Sequence, residues 1–201
     1  MRRQNKLLIS ATMAILAACA APEILVPRDG TVPYGIDLGG NWRIQPESLR
    51  NQRRIREAIR KTDGIADRDI FGPTNKQSKN SSRSGSGRVR GGLVYVFLEL
   101  GESLKISQTE HGLFISFDRS VVEEFRFGED RIVSVGQAQA QRVTGWEDDT
   151  LIVETLGRNS MKLTERFRLI DGGQVLERTI ILRSREKEEE QVIQLFDRAT
   201  S

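Results

Sequence analysis

Glu165 and Arg178 are the residues whose positions say most about chemistry, because each charge interrupts a run of alternating apolar residues. Successive side chains of a strand point to opposite faces, so every second residue shares a face. Glu165 shares its face with Met161, Leu163, Phe167 and Leu169, and Arg178 shares its face with Leu176, Ile180 and Leu182. Both charged side chains are therefore predicted to point towards the apolar side of a sheet.

The turn between the two strands decides whether these charges meet. If Gly172 and Gly173 form a two-residue turn, the apolar faces of both strands lie on the same side of the sheet. That register pairs Leu169 with Leu176, Leu163 with Leu182, and Glu165 with Ile180. The two charges are then diagonal neighbours, within reach of a long side chain. A three-residue turn would put them on opposite faces, and the hydrophobic pattern favours the two-residue turn.

Such a pair has two interpretations. As a structural feature it is a buried salt bridge, in which the cost of desolvation roughly cancels the attraction. As a functional feature it is the polar anchor of an otherwise apolar ligand cavity. The ligand site predicted on the second interpretation consists of Glu165, Arg178, Phe167, Leu163 and Ile180.

Signatures of enzymes are nearly absent from the sequence. His111 is the only histidine, and its place beside Gly112 is typical of a turn. Asp148 and Asp149 form a carboxylate pair in sequence, but adjacent turn residues point apart and turns favour aspartate in any case. We therefore expect a non-enzymatic protein with no catalytic residues, no metal site and no cofactor.

Cys19 ends the stretch Leu-Ala-Ala-Cys at residues 16–19, which resembles the lipobox of bacterial lipoproteins. A basic start and a short apolar run precede it, as in a secretory signal peptide. The resemblance implies that residues 1–18 are removed and that the thiol of Cys19 is acylated. It also implies outer-membrane sorting, because Ala20 stands where an aspartate would retain the protein in the inner membrane. The alternative is an ordinary signal peptide that is cleaved near a cysteine.

The balance of charge excludes one class of function. The signal segment carries three of the 31 basic residues, so the mature chain would hold 28 basic and 28 acidic residues. A global positive charge of the kind that favours nucleic acid is then missing, and we expect no nucleic-acid partner. With its one cysteine acylated, the chain has no thiolate for a metal or a disulfide.

Residues 19–35 contain three prolines and predict a tether between the anchor and a domain that spans residues 36–201. The triplet Gly40-Asn41-Trp42 resembles the Gly-x-Trp that opens the first strand of lipocalin-like barrels. The resemblance implies that Trp42 plugs one end of a barrel and that Arg198 lies over its ring as a cation–π partner. The alternative is one core tryptophan and one solvated arginine.

Residues 46–62 predict a helix, with Pro46 at its N-terminus and Gly64 after its end. Its basic side chains are Arg50, Arg53, Arg54, Arg56, Arg60 and Lys61. Such a helix can lie against an anionic surface, or it can pack its apolar stripe on a sheet and solvate its arginines. Residues 72–92, rich in serine, glycine and basic residues, predict a disordered loop.

The second half of the chain predicts the fold class. Residues 93–100 are an apolar run that fits a helix or a strand. From residue 103 onward, short alternating segments are separated by turns near residues 111, 129, 148 and 172. This pattern predicts a mainly β protein, an antiparallel up-and-down lipocalin-like β-barrel with one short N-terminal helix. The segment 145–176 also resembles a set of uncharacterised exported bacterial proteins with a lipocalin-like body.

Two functions fit these observations. The first is a non-enzymatic periplasmic lipoprotein, held in the outer membrane by its lipid anchor, whose barrel binds a small apolar or amphipathic ligand. The second is a structural or interaction protein whose interior is filled by side chains. Its basic arm, residues 50–90, would contact an anionic envelope component or a protein partner. An empty interior of about 300 Å³ or more would favour the first function, and a packed interior the second.

Overall fold

The structure, a computed structural model, describes residues 22–63, 94–158, 160–184 and 189–199. Its helix and ten strands are, in chain order, β1 (Gly40–Ile44), α1 (Pro46–Asp63), β2 (Ser103–Gln108), β3 (Gly112–Phe117), β4 (Val121–Arg126), β5 (Asp130–Val135), β6 (Ala138–Glu147), β7 (Thr150–Gly157), β8 (Lys162–Ile170), β9 (Val175–Arg183) and β10 (Glu189–Arg198). The predicted signal peptide, its acylation site Cys19 and the predicted disordered loop 72–92 lie outside the described residues.

The strands form one antiparallel sheet in the order β4-β3-β2-β1-β10-β9-β8-β7-β6-β5. Strands that are consecutive in the chain pair with each other except for β4 and β5, and β1 pairs with β10 to curl the sheet round on itself. The sheet has a seam at β4 and β5, its two edge strands. The loop between β4 and β5 is hydrogen-bonded to β6, since the Gly128 N–H donates to the Thr144 carbonyl at 2.8 Å. The predicted mainly β, up-and-down barrel fold is confirmed, with an open seam.

Helix α1 begins at Pro46, where a missing N–H costs no helical hydrogen bond. Its apolar stripe of Ile55, Ala58 and Ile59 is buried. The helix contacts β10 through Asn51, whose side-chain amide donates to the Ile193 carbonyl at 2.7 Å. It thus covers one end of the barrel. No helix among the described residues is both long and apolar enough to cross a membrane.

The apolar run 93–100, for which helix and strand were both open, contains a short 3₁₀ helix at Val94–Phe97. The Leu98 N–H closes it by donating to the Tyr95 carbonyl at 3.1 Å. Val94, Tyr95 and Phe97 are all buried, so the run points apolar side chains in several directions rather than along one face. It packs with α1 in the mouth of the barrel and contacts β6, β7 and β8. We call α1 and residues 94–100 together the lid.

The segment predicted as a tether is not free where the structure describes it. Residues 22–30 lie against the outer face of β6 and β7. The side-chain amide of Gln141 accepts from the Leu25 N–H at 2.9 Å and donates to the Leu25 carbonyl at 3.2 Å. The Arg28 guanidinium donates to Glu154 at 2.7 Å. Prolines exclude regular structure in this segment, but an extended chain can still dock on a sheet.

Gly145 makes this docking possible. A Cβ atom at that position would collide with the Asp29 carbonyl oxygen and would lie 2.7 Å from the Cβ atom of Arg28. With no side chain there, the Trp146 N–H reaches the Asp29 carbonyl at 2.8 Å. The side chain of Leu25 completes the contact by packing with Val143 and Leu156 in a small apolar cluster outside the barrel.

Candidate functional site

Strands β8 and β9 have the register that the hydrophobic pattern favours. The observed pairs include Leu169 with Leu176, Leu163 with Leu182, and Glu165 with Ile180. Gly172 and Gly173 occupy the centre of the turn with φ angles of 61° and 85°, which residues other than glycine rarely adopt. The Gln174 N–H closes the turn by donating to the Asp171 carbonyl at 3.1 Å.

Glu165 and Arg178 consequently meet inside the barrel. The Arg178 Nε and Nη2 atoms donate to Oε1 of Glu165 at 3.1 and 2.5 Å. Nη2 also donates to the main-chain oxygen of Glu99 in the lid at 2.8 Å, and Nη1 lies 3.4 Å from the side-chain oxygen of Gln194. The Arg178 side chain is 0% exposed and that of Glu165 is 2% exposed. This ion pair is fully removed from water.

A second buried arginine, Arg142 of β6, lies in the same interior, and Glu123 interacts electrostatically with both arginines. The Arg142 Nε atom donates to Oγ1 of Thr155 at 3.1 Å, and Nη1 lies 3.6 Å from Oε2 of Glu123. Nη2 of Arg142 is buried and finds no acceptor among the described residues. The guanidinium lies between the rings of Phe97 and Phe125, 5.6 and 5.3 Å from their centroids. Arg142 thus keeps an unused donor in a dry, aromatic environment.

We call the following groups the polar layer: the buried residues Arg142, Thr155, Glu165, Arg178 and Gln194, together with Glu123, whose side chain is 17% exposed. It separates two apolar clusters of the core. The cluster at the closed end includes Trp42, Phe167 and Phe196. The other cluster joins the lid residues Ile55, Tyr95 and Phe97 to Leu163 and Ile180 of the barrel wall. An apolar region therefore lies on each side of a buried, charged belt.

Burial governs the protonation of the acidic groups here. It raises the pKa of Glu123 to about 7, and Arg142 opposes this shift only in part. Burial also raises the pKa of Glu99 above its usual range, with Arg178 acting in the opposite direction. The carboxyl group of Glu123 is therefore partly protonated near neutral pH. In that state the charge of Arg142 is incompletely compensated.

The interior is filled around the residues predicted to line a ligand cavity. Phe167 and Ile180 are 0% exposed and Leu163 is 1% exposed, so no water-sized space adjoins them. Leu163 and Ile180 pack in one apolar cluster with the lid, and Phe167 lies in the other cluster, against the guanidinium of Arg178. A concavity of about 880 Å³ lies instead on the outer face of β1, β2 and β3, lined in part by Arg43 and Lys105.

Trp42 and Arg198 have the arrangement that the Gly-x-Trp resemblance implies. The Arg198 guanidinium lies over the indole ring, 4.2 Å from its centroid. Two carbonyls hold it there, that of Gly39 at 2.9 Å and that of Gly173 at 3.0 Å. Trp42 is 1% exposed and donates its Nε1–H to the Leu38 carbonyl at 3.0 Å. The pair closes the end of the barrel whose core cluster contains Trp42.

The other predicted positions lie on the surface. Four arginines of α1 are exposed: Arg50, Arg53, Arg54 and Arg56. Arg60 lies on the same helix, and its side chain is outside the described part of the chain. His111 is exposed in the turn before β3 and lies 3.0 Å from Glu110. Within the described ranges, no three His, Cys, Asp or Glu side chains are grouped so that they could hold a metal ion.

No protein-family model matches the chain, and no curated protein is detectably similar to it. Solved structures are similar in fold. A secretory abundant heat soluble (SAHS) protein from Ramazzottius varieornatus superposes with a TM-score of 0.50 at 11% identity, covering 82% of this chain and 97% of that one. SAHS protein 4 from the same organism gives 0.46 at 13% identity, with 81% and 94% covered. An asparagine-to-alanine mutant of the fluorescent protein UnaG gives 0.41 at 12% identity, with 82% and 97% covered. At such identities the likeness to the first protein shows the barrel fold alone.

Proposed function

We propose that the mature chain is a non-enzymatic periplasmic lipoprotein, anchored in the outer membrane through Cys19, whose barrel binds a small amphipathic ligand. The lipobox-like stretch at residues 16–19 supports the anchor. The barrel fold supports ligand binding, because barrels of this kind can hold a small ligand in their interior when the groups that fill it move aside. Neither point identifies the ligand. Its chemistry is inferred from the side chains of the polar layer that it would contact.

The unused donor of Arg142 is the observation that carries ligand binding. Burying a guanidinium without a full set of acceptors is costly, and a purely structural core gains nothing from it. The layer holds two guanidinium groups, those of Arg142 and Arg178, against the carboxyl groups of Glu165 and Glu123, and Glu123 is partly neutral near pH 7. The layer thus has a surplus of positive charge. An anionic head group between the two apolar clusters would satisfy that surplus, with an apolar tail among the residues that now contact the lid.

The lid occupies the place that such a ligand would take. The Glu99 main-chain oxygen accepts from Arg178, and the ring of Phe97 lies on Arg142. Both contacts are interactions that a carboxylate or phosphate oxygen and an acyl chain could replace. The filled interior is therefore a closed state, in which residues 94–100 stand in for the ligand. Entry of a ligand requires these residues to move away from the polar layer.

Native mass spectrometry of the detergent-extracted lipoprotein from its own cells tests this function. We expect a stoichiometric, non-covalent adduct on the wild-type protein. Replacing Arg142 with glutamine should weaken the affinity about tenfold or more and so lower adduct occupancy, because a buried charge-assisted hydrogen bond is lost. The matched control is Arg166→Gln, a solvent-facing arginine of β8 that is 43% exposed. It should keep the adduct.

Two results would count against ligand binding. One is the repeated absence of any adduct on folded wild-type protein. The other is an adduct that persists at full occupancy when Arg142 is replaced and circular dichroism shows an intact fold. The mass of the acylated N-terminus in the same spectra tests the anchor separately, since acylation of Cys19 adds a covalent mass.

The filled interior and the exposed arginines of α1 favour a second candidate, a contact with an anionic envelope component. Arg50, Arg53 and Arg54 point into solvent on the outside of the lid. We expect salt-sensitive binding of the protein to anionic vesicles, at roughly 1 kcal/mol per basic residue near the surface. Replacing these three arginines with glutamine should abolish it. The same replacements at Arg119, Arg166 and Arg168, which are exposed and lie away from α1, should not. Equal losses in both variants would exclude a role for the helix.

A further inference from the structure

Two exposed aliphatic side chains lie on the docked N-terminal segment. Leu25 is buried against β6 and β7, while Ile24 is 70% exposed and Val26 is 75% exposed. This alternation is that of an extended chain, which points successive side chains in opposite directions. Because Gln141 bonds both main-chain groups of Leu25, the direction in which Ile24 and Val26 point is fixed relative to the barrel.

A third exposed aliphatic side chain lies beside them on the barrel wall. Ile132 of β5 is 67% exposed and is the register partner of Gln141. Directly paired residues of neighbouring strands point to the same face, so Ile132 lies on the outer face next to the amide that holds Leu25. Ile24, Val26 and Ile132 are here called the N-terminal apolar face.

The charged groups around this face have partners. Glu23 forms an ion pair with Arg183 at 2.5 Å. Asp130 accepts from the Gln141 side chain at 2.9 Å. The Arg158 guanidinium donates to Gln139 at 2.5 Å. One of these charges is compensated by an opposite charge and the other two are hydrogen-bonded to neutral amides, so all three side chains are held beside the barrel wall.

The face also lies next to the proposed anchor. Only three residue steps separate Cys19 from Pro22, and an extended chain covers about 3.5 Å per residue, or roughly 11 Å in all. Acyl chains on Cys19 enter the membrane, so Pro22, the first residue of the docked segment, is held within that distance of the lipid. We infer that the N-terminal apolar face, Ile24, Val26 and Ile132, rests on the phospholipid surface and fixes the orientation of the barrel on the membrane.

This inference rests on the proposed anchor at Cys19. A docked barrel differs from a freely tethered one in its orientation on the membrane. A free tether would let the barrel turn in any direction. A docked segment brings the wall formed by β5 and β6 towards the lipid and leaves β1, β2 and β10 facing away. The informative position is therefore Ile132, because Ile24 lies so near the anchor that it would meet lipid in either case.

A fluorescent label at residue 132 tests the orientation in the full acylated lipoprotein, reconstituted in phosphatidylethanolamine and phosphatidylglycerol vesicles. Cys19 is the only cysteine of the chain, so after acylation an Ile132→Cys variant has a single free thiol. We expect lipids with a shallow nitroxide quencher to quench a label at residue 132 about threefold more than one at residue 193, since interfacial groups lie about 5–10 Å deep. Ile193→Cys is the matched control, an exposed isoleucine of β10, four strands round the barrel from β6.

The possible failures are distinguishable. Protein that lacks acyl mass on Cys19 and does not float with the vesicles overturns the anchor and, with it, the orientation. Acylated, floating protein with equal quenching at residues 132 and 193 overturns the orientation alone. A Gly145→Ala variant provides a second arm, because a Cβ atom there meets the docked segment. In that variant quenching at residue 132 should fall to the level at residue 193, and unchanged quenching would show that docking does not set the orientation.

Discussion

Replacing Glu165 with leucine is expected to lower the free energy of unfolding by about 3–5 kcal/mol, because it leaves a buried guanidinium without its main acceptor. Arg178 is 0% exposed and would keep only the Glu99 carbonyl and a long contact to Gln194. Replacing Arg178 with methionine should cost less, since a lone carboxyl group can take up a proton whereas a guanidinium cannot release one. Urea unfolding followed by tryptophan fluorescence measures both values.

The double variant Glu165→Leu/Arg178→Met provides the control for this comparison. Methionine fits between the rings of Phe117 and Phe167 that now flank the guanidinium. With both charges gone, stability should return to within about 1–2 kcal/mol of the wild type, since exchanging a buried ion pair for apolar groups is often neutral. A loss below about 1 kcal/mol in the single Glu165 variant would mean that Arg178 has other sufficient acceptors.

The polar layer was only half predictable from sequence, and the reason lies in the strand patterns. Glu165 stands out because its face is otherwise apolar. Arg142 does not, because both faces of β6 carry polar residues: Ala138, Ala140, Arg142 and Thr144 alternate with Gln139, Gln141 and Val143. Periodicity then gives no apolar face for Arg142 to interrupt. The sequence pattern around Glu123 is only weakly informative, because Glu123 shares its face of β4 with no more than two apolar residues, Val121 and Phe125.

The fold was predictable where the pattern is local, and less so where long-range contacts decide. Helix α1 and the hairpin of β8 and β9 follow from proline and glycine positions and from alternation. The 3₁₀ helix at Val94–Phe97 does not, because its shape is set by the space between α1 and the barrel. The docking of residues 22–30 was missed for a related reason. Its determinants are Gly145 and Gln141, more than a hundred residues away.

Glu123 gives the polar layer a pH dependence with a definite sign. Its pKa is about 7 in the folded barrel, above the ordinary value of 4.5, because burial favours the neutral carboxyl group. The folded state therefore holds this proton more tightly than the unfolded state does. The resulting stability is fully present below about pH 4.5 and is lost as the pH rises through about 7. A shift of this size corresponds to about 3 kcal/mol, since one pKa unit is about 1.4 kcal/mol.

Replacing Glu123 with glutamine should remove this dependence, because glutamine resembles the protonated carboxyl group at every pH. The free energy of unfolding of the variant relative to the wild type should rise by about 3 kcal/mol between about pH 4 and pH 8. Glu124→Gln is the neighbouring control. The hydrogen bond from Arg126 lowers the pKa of Glu124, so its stabilising effect is lost only as the pH falls, and this variant should show no rise over the same range. Equal slopes for the two variants would contradict a buried, partly protonated Glu123. If only the Glu123→Gln variant shows the rise with pH, the carboxyl group of Glu123 ionises near pH 7 in the folded barrel. The positive surplus of the polar layer, and with it anion binding, then weakens as the pH rises above about 7.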